Sequence, residues 1–221
     1  MRRLFRALAA GLSLSLLSAS VSAEPSLWQR AREPELARSE ALAERLERLL
    51  SAGVEKEFDP RGARDFALAA VAAADLAGAS RMPGARLNCL LGEVFLQAGF
   101  PERARDLLAK IVDDLPPGPL AAGCFYTYGL ALAYLSESKR EIDAFTQALA
   151  YADTAHFRAN LLYNRAEARM ALGNLEEAID DYRKALATGR EPHLQALCYY
   201  GLAVALDRHG DLPSAYVATR K

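Results

Sequence analysis

Apolar residues are distributed along this chain in two ways. Positions 7–21 are mostly apolar and small, behind Arg2, Arg3 and Arg6 and ahead of Ser22 and Ala23. Further on, apolar residues recur at helical spacing. Leu42, Leu46 and Leu49 lie four and three apart, as do Ala178, Tyr182 and Ala185, the pattern of helices with one buried face. That pattern itself repeats. Leu91 and Gly92 return 37 residues later as Tyr128 and Gly129, then as Arg165 and Ala166, then as Leu202 and Ala203. The same step carries Gly99 to Ser136, Gly173 and Gly210, and Leu108 to Phe145 and Tyr182. A fixed step of this length marks an array of similar structural units.

Each unit reads as two helices joined by a tight turn. In 159–192 the first helix runs through Leu162, Arg165, Ala166 and Arg169, Gly173 and Asn174 turn the chain, and the second helix covers about 175–188. Asn174 with Glu177, and Ser138 with Glu141, have the spacing of a capping box. Pro101 and Pro213 fall in the first turns of second helices, where no backbone donor is lost. An earlier, looser hairpin is expected at 34–78, because Pro60, Arg61, Ala63, Arg64 and Asp65 echo Pro101, Glu102, Ala104, Arg105 and Asp106.

These residues resemble the tetratricopeptide repeat family, whose unit is a helix-turn-helix of about 34 residues. Leu91, Gly92, Phe95, Ala104, Leu108 and Pro116 follow its pattern in 85–121. Phe125, Tyr128, Gly129, Phe145 and Ala148 do so in 122–158, and Leu162, Ala166, Ala178, Tyr182 and Ala185 in 159–195. Tyr199, Ala203, Leu206 and Ala215 continue it through a partial unit at 196–221. Two residues depart from it: Glu141 stands where a small Ala is usual, and Arg169 where a Tyr is usual. The period is also longer, a surplus assigned here to longer connections such as 116–119 and 190–192. The resemblance implies an all-α protein, a right-handed α-solenoid of antiparallel helix-turn-helix repeats.

Composition agrees with close helix packing: 44 of the 221 residues are Ala, the smallest strong helix former. The leading segment has the charged, apolar, small-residue order of a secretory signal peptide at 1–23, with cleavage after Ala23 and a linker at 24–33. Its apolar run of about 15 residues is short for a membrane span. Two further features bear on the route. No Cys stands near the cleavage point, and Arg2 and Arg3 lack the full twin-arginine context, which favours the general secretory route. The expected location is the periplasm or outside the cell.

Charge narrows the partners. The chain carries 27 basic and 28 acidic residues; removing 1–23 takes three Arg and leaves 24 against 28, or −4. A mildly acidic body argues against nucleic acid as the partner. Cys89, Cys124 and Cys198 all sit in apolar helical surroundings and read as small buried residues. Cys89 with Cys124 is the best candidate pair if a disulfide forms.

Motifs that carry chemistry are few. The sequence holds no GxGxxG, GxSxG, HExxH or phosphate-loop pattern, and no catalytic residue, cofactor or metal site is assigned. His156 and His193 stand one period apart, a separation of about one helix-packing distance (~8–10 Å), too far to share a metal. Asp113 with Asp114, and Asp180 with Asp181, read as solvated faces of second helices.

The family resemblance implies instead a concave face lined by first helices. In this register its candidate peptide-binding residues are Arg86, Gln97, Tyr126, Asn160, Tyr163, Asn164, Glu167, Tyr200 and Arg208. Tyr126, Tyr163 and Tyr200 form a ladder, one per unit, which serves either as plates for an extended peptide or as packing between first helices. The expected function is that of an exported, non-catalytic scaffold binding a peptide or protein segment. The alternatives are a structural subunit of an envelope complex, and the repeat arm of a larger exported enzyme or outer-membrane export protein. The short last unit leaves an end suited to a covering partner, to self-association or to further repeats.

Overall fold

The computed structural model describes residues 85–97 and 99–220, together with Glu44. The expected signal peptide, the linker and the hairpin at 34–78 lie outside the described residues. Between residues 85 and 220 eight α-helices are described: α1 (Ala85–Gln97), α2 (Pro101–Leu108), α3 (Pro119–Tyr134), α4 (Ser138–Tyr151), α5 (Ala155–Leu172), α6 (Leu175–Thr188), α7 (Pro192–His209) and α8 (Leu212–Ala218). A 3-10 turn at Val112–Asp114 follows α2, and no strand occurs among the described residues. Two compact units divide between Ala131 and Leu132, inside α3.

One backbone device closes all four hairpins. Gly99, Ser136, Gly173 and Gly210, which the 37-residue step relates, have φ of 85°, 60°, 81° and 93°. Beyond each, an N–H reaches back five residues: Phe100 to Phe95 O, Glu137 to Leu132 O, Asn174 to Arg169 O and Asp211 to Leu206 O, at 2.9–3.0 Å. This is the left-handed helix end with a returning hydrogen bond, which satisfies carbonyls the helix leaves unpaired.

Capping at the starts of helices differs from the expectation. Thr154 accepts a hydrogen bond from Phe157 N, and Asp211 from Ser214 N, at α5 and α8. Asn174 makes no such bond. It is exposed, so water serves the first-turn donors, and Glu176 and Glu177 supply the negative charge favoured there. Ser138 is already the first residue of α4, with Glu137 in the capping position, so the box is one residue out of register.

The surplus length is not in the connection at 190–192. Only three residues separate α6 from α7, and α5 and α7 are 18 residues long. Pro192 opens α7, because its fixed φ and missing donor suit a first helical position.

In the first unit, Leu87, Leu90 and Val94 of α1 and Ala104 and Leu108 of α2 are buried. Gly92 lets α2 approach closely: a Cβ there would meet Leu108 side-chain carbons at 2.7 Å. Cys89 and Cys124 form a disulfide between α1 and α3, with Cα atoms 5.3 Å apart. The reading of these two as unlinked buried residues is therefore corrected; Cys198 is free and buried. In the second unit α6 packs against both α5 and α7. Tyr182, Phe145, Phe157, Leu132, Leu161 and Leu194 are its largest fully buried side chains. At Gly201 a Cβ would meet the Tyr182 ring at 2.5 Å, so a glycine is what lets α7 lie against that ring.

Candidate protein-interaction surface

The candidate residues of the first helices differ widely in accessibility. In the first unit Tyr126 is buried and Arg86 half-buried, while Gln97 is exposed. Gln97 Nε2 donates to Glu93 Oε1 at 3.0 Å, an i,i+4 link along α1. Burial, and then the nearby Glu93 carboxylate, push the Tyr126 phenol well above its ordinary range, so it remains neutral.

In the second unit the two asparagines are spent within their own helix. Asn160 Nδ2 donates to His156 O at 3.0 Å, and Asn164 Nδ2 to Asn160 O at 2.8 Å; both side chains are buried. Tyr163 is also buried, its ring 6.2 Å from that of Tyr182 and tilted by 52°. Tyr200, one period on, is 66% exposed. The three tyrosines are thus not a ladder of equivalent plates. Arg208, exposed on α7, reaches Met170 O of α5 at 3.3 Å. Glu167 of α5 is half-buried.

Beneath this face lies a buried group of acids and phenols that pattern reading did not assemble. Tyr182 Oη donates to Glu167 Oε1. Glu141 of α4 is only 4% exposed. Its carboxyl is raised to about 8, first by burial and then by the charge of Glu167. Glu167 is itself raised by burial, against the opposing effect of the Tyr182 hydroxyl. The phenols of Tyr163 and Tyr182 are pushed upward by the same desolvation and by Glu167. The Cys198 thiol is raised to about 12 by burial and then Glu167, which keeps it protonated and unreactive. In each of these groups burial disfavours loss of the proton.

Across α5 from this group sits an ion cluster. Asp181, fully buried, accepts from Arg165 Nε and Nη2 at 2.8 Å each and from Arg169 Nη1 at 2.5 Å. Arg165 Nη1 also donates to Thr146 Oγ1 at 3.0 Å. Asp181 is therefore not part of a solvated face, because two cations compensate its burial. Its neighbour Asp180 is exposed and pairs with Lys184 at 2.5 Å. Asp113 and Asp114 are exposed but belong to the 3-10 turn, not to a second helix. The signal for both buried clusters was present as the two departures from the family pattern, Glu141 and Arg169.

His156 Nδ1 lies 3.0 Å from Glu191 Oε1, and His193 is exposed. No group of three or more metal-binding side chains occurs among the described residues, and no helix among them is long and apolar enough to cross a membrane.

Stacked helical hairpins with an accessible first-helix surface define the class as a helical-repeat scaffold of α-solenoid type. Residues 157–215, spanning α5 to α8, match the tetratricopeptide repeat family. None of the curated protein sequences matches it. Among solved structures it resembles MamA at 20% identity and a TM-score of 0.62, over 74% of this chain and 92% of that one. BtubC from P. vanneervenii aligns at 17% identity and a TM-score of 0.63, over 87% and 82% of the two chains. Nearly identical TPR-like repeats from Podosopora anserina align at 18% identity and a TM-score of 0.61, over 83% and 92%. Likeness at these identities establishes the shared fold. That fold is a protein–protein interaction scaffold, and proteins built on it are in general non-catalytic.

Proposed function

We propose that this protein is an exported scaffold without catalysis of its own, holding a peptide or protein segment against its first-helix face. The observation that carries the reading is Tyr200: 66% exposed on α7, in the register of a first-helix aromatic, with exposed Arg208 two turns further along the same helix. Tyrosine and arginine are both enriched among the residues that carry binding between proteins. Glu167 adds a half-exposed acceptor on the neighbouring α5, while Tyr126, Asn160, Tyr163 and Asn164 hold the face in shape from within. Export is supported by the leader at 1–23 and by the Cys89 to Cys124 disulfide, a bond that persists in oxidising compartments.

The test uses Tyr200→Ala with Arg208→Glu, since both side chains are exposed and their loss leaves the packing intact. Crosslinking in an envelope extract, followed by mass spectrometry, compares this variant with the native chain. A defined partner lost from the variant, with unchanged thermal unfolding, supports the reading; identical partners for both proteins refute it. N-terminal sequencing of the exported protein tests the leader, with Glu24 expected as the first residue.

A further inference from the structure

The ion cluster and the 37-residue step together expose a second surface. Adding one period to Thr146, Arg165, Arg169 and Asp181 gives Arg183, Leu202, Leu206 and Ala218. These four, with Tyr199 and Val217, line a shallow pocket of about 350 Å³ between α6, α7 and α8. The two positions are structurally equivalent and chemically opposite. At the earlier one, two guanidinium groups lie over the floor and close on a buried carboxylate, so the groove fills itself. At the later one both arginines have become leucine and the acid has become alanine. The floor is apolar, its walls include Val217 at 59% exposure, and the cation has moved to the rim as exposed Arg183.

What the later groove lacks, relative to the earlier, is a side chain to cover its floor and an anion for its arginine. The charge of Arg183 reaches the Asp211 carboxylate, and that group is already engaged as the cap of α8 through Ser214 N at 3.2 Å. An apolar floor gains by being covered, and a cationic rim selects against a basic partner. We propose that this groove docks a short acidic segment of a protein partner. A bulky apolar side chain of that segment covers Leu202 and Leu206, and an adjacent carboxylate pairs with Arg183. The surface is separate from the first-helix face: Tyr199, Leu202 and Leu206 occupy a different side of α7 from Tyr200 and Arg208, and Arg183 and Val217 belong to second helices.

The probe is a fluorescein-labelled octapeptide with a Leu-Phe centre flanked on each side by Asp and Glu, titrated with the full chain and read by fluorescence anisotropy. Its control has Lys at every acidic position. Saturable binding of the acidic peptide is expected, at least about tenfold tighter than the Lys control. Arg183→Glu and Val217→Asp, both at exposed positions, each weaken it by about tenfold or more with unchanged circular dichroism. Arg208→Glu, on the first-helix face, leaves it unchanged. Absence of saturable binding, equal binding of the Lys peptide, or equal binding by Arg183→Glu overturns the proposal. Loss of binding in Arg208→Glu alone overturns it too, and moves the peptide to the first-helix face.

Discussion

Arg165 of α5 holds Asp181 of α6 through two parallel hydrogen bonds of 2.8 Å, with Asp181 fully buried and Arg165 still partly open to water. Planar two-point pairing of this kind is the strong form of an ion pair. Its first consequence is for the register of the hairpin, because the contact joins residues 16 positions apart across the turn. Arg169 adds a third bond to the same carboxylate, so removing the acid strands two cations at once.

Asp181→Ala should therefore be among the costliest single changes in the second unit. Breaking a buried pair by deleting one partner typically costs about 3–5 kcal/mol, and the partial exposure of the arginines places this case toward the lower end. Urea unfolding followed by circular dichroism checks the value. Replacing Asp180 instead, whose pair with Lys184 is exposed on both sides, should change stability by less than about 1 kcal/mol.

The disulfide gives the first unit a different dependence. It closes a span of 35 residues between α1 and α3, and cross-links of that length contribute about 2–4 kcal/mol. Thermal unfolding in the presence of a reductant should show a lowered midpoint, as should Cys89→Ser with Cys124→Ser, and the reductant should have no further effect on the double variant. Thiol labelling of the wild-type protein, unfolded in denaturant without reductant, should find one reactive cysteine, Cys198.

Among the four turn positions related by the repeat, Ser136 alone carries a side chain, at a φ of 60°. A residue with a Cβ is disfavoured in that left-handed region by roughly 1–2 kcal/mol relative to glycine. Ser136→Gly should raise the stability of the hairpin joining α3 to α4 by up to about 1 kcal/mol, after subtracting the entropy glycine adds to the unfolded chain. The reverse change at the equivalent turn, Gly173→Ser, should lower the stability of the hairpin joining α5 to α6, and paired thermal melts distinguish the two.

Much of the hairpin architecture was legible because spacing and turn chemistry point the same way. The second helix at 175–188 followed from Gly173, whose left-handed geometry ends α5, and from the Ala178, Tyr182, Ala185 stripe that packs it. Accessibility was less legible. Tyr163 and Tyr200 share a register but one is buried and the other exposed, because exposure depends on what packs against each hairpin and the sequence of one unit does not contain that. The disulfide was legible only as a preferred pair, since sequence spacing does not show that two helices bring their Cα atoms within 5.3 Å. The buried acids were hidden for the opposite reason: charged residues are rarely interior, and Glu141 and Asp181 became interpretable only once Glu167 and the two arginines were placed around them.

Glu141 gives the protein a pH dependence whose sign can be worked out. In the unfolded chain its carboxyl loses its proton near 4.5, whereas in the fold burial and then the Glu167 charge hold the proton until about 8. Between those values the folded state carries more protons than the unfolded state, so stability falls as pH rises through the window and levels off above it. The total loss attributable to this residue is on the order of a few kcal/mol. The second unit should thus unfold at a lower temperature at pH 8.5 than at pH 5, other groups being equal. Glu141→Gln keeps the shape and removes the titration, so it should flatten that slope and raise the midpoint mainly at the higher pH. Glu141→Ala restores the small residue of the repeat pattern and should do the same, with some loss of packing at pH 5. A series of thermal melts on the three proteins across this range is decisive: equal slopes in all of them would mean that Glu141 is ionised inside the fold, its charge offset by a cation or by hydrogen-bond donors.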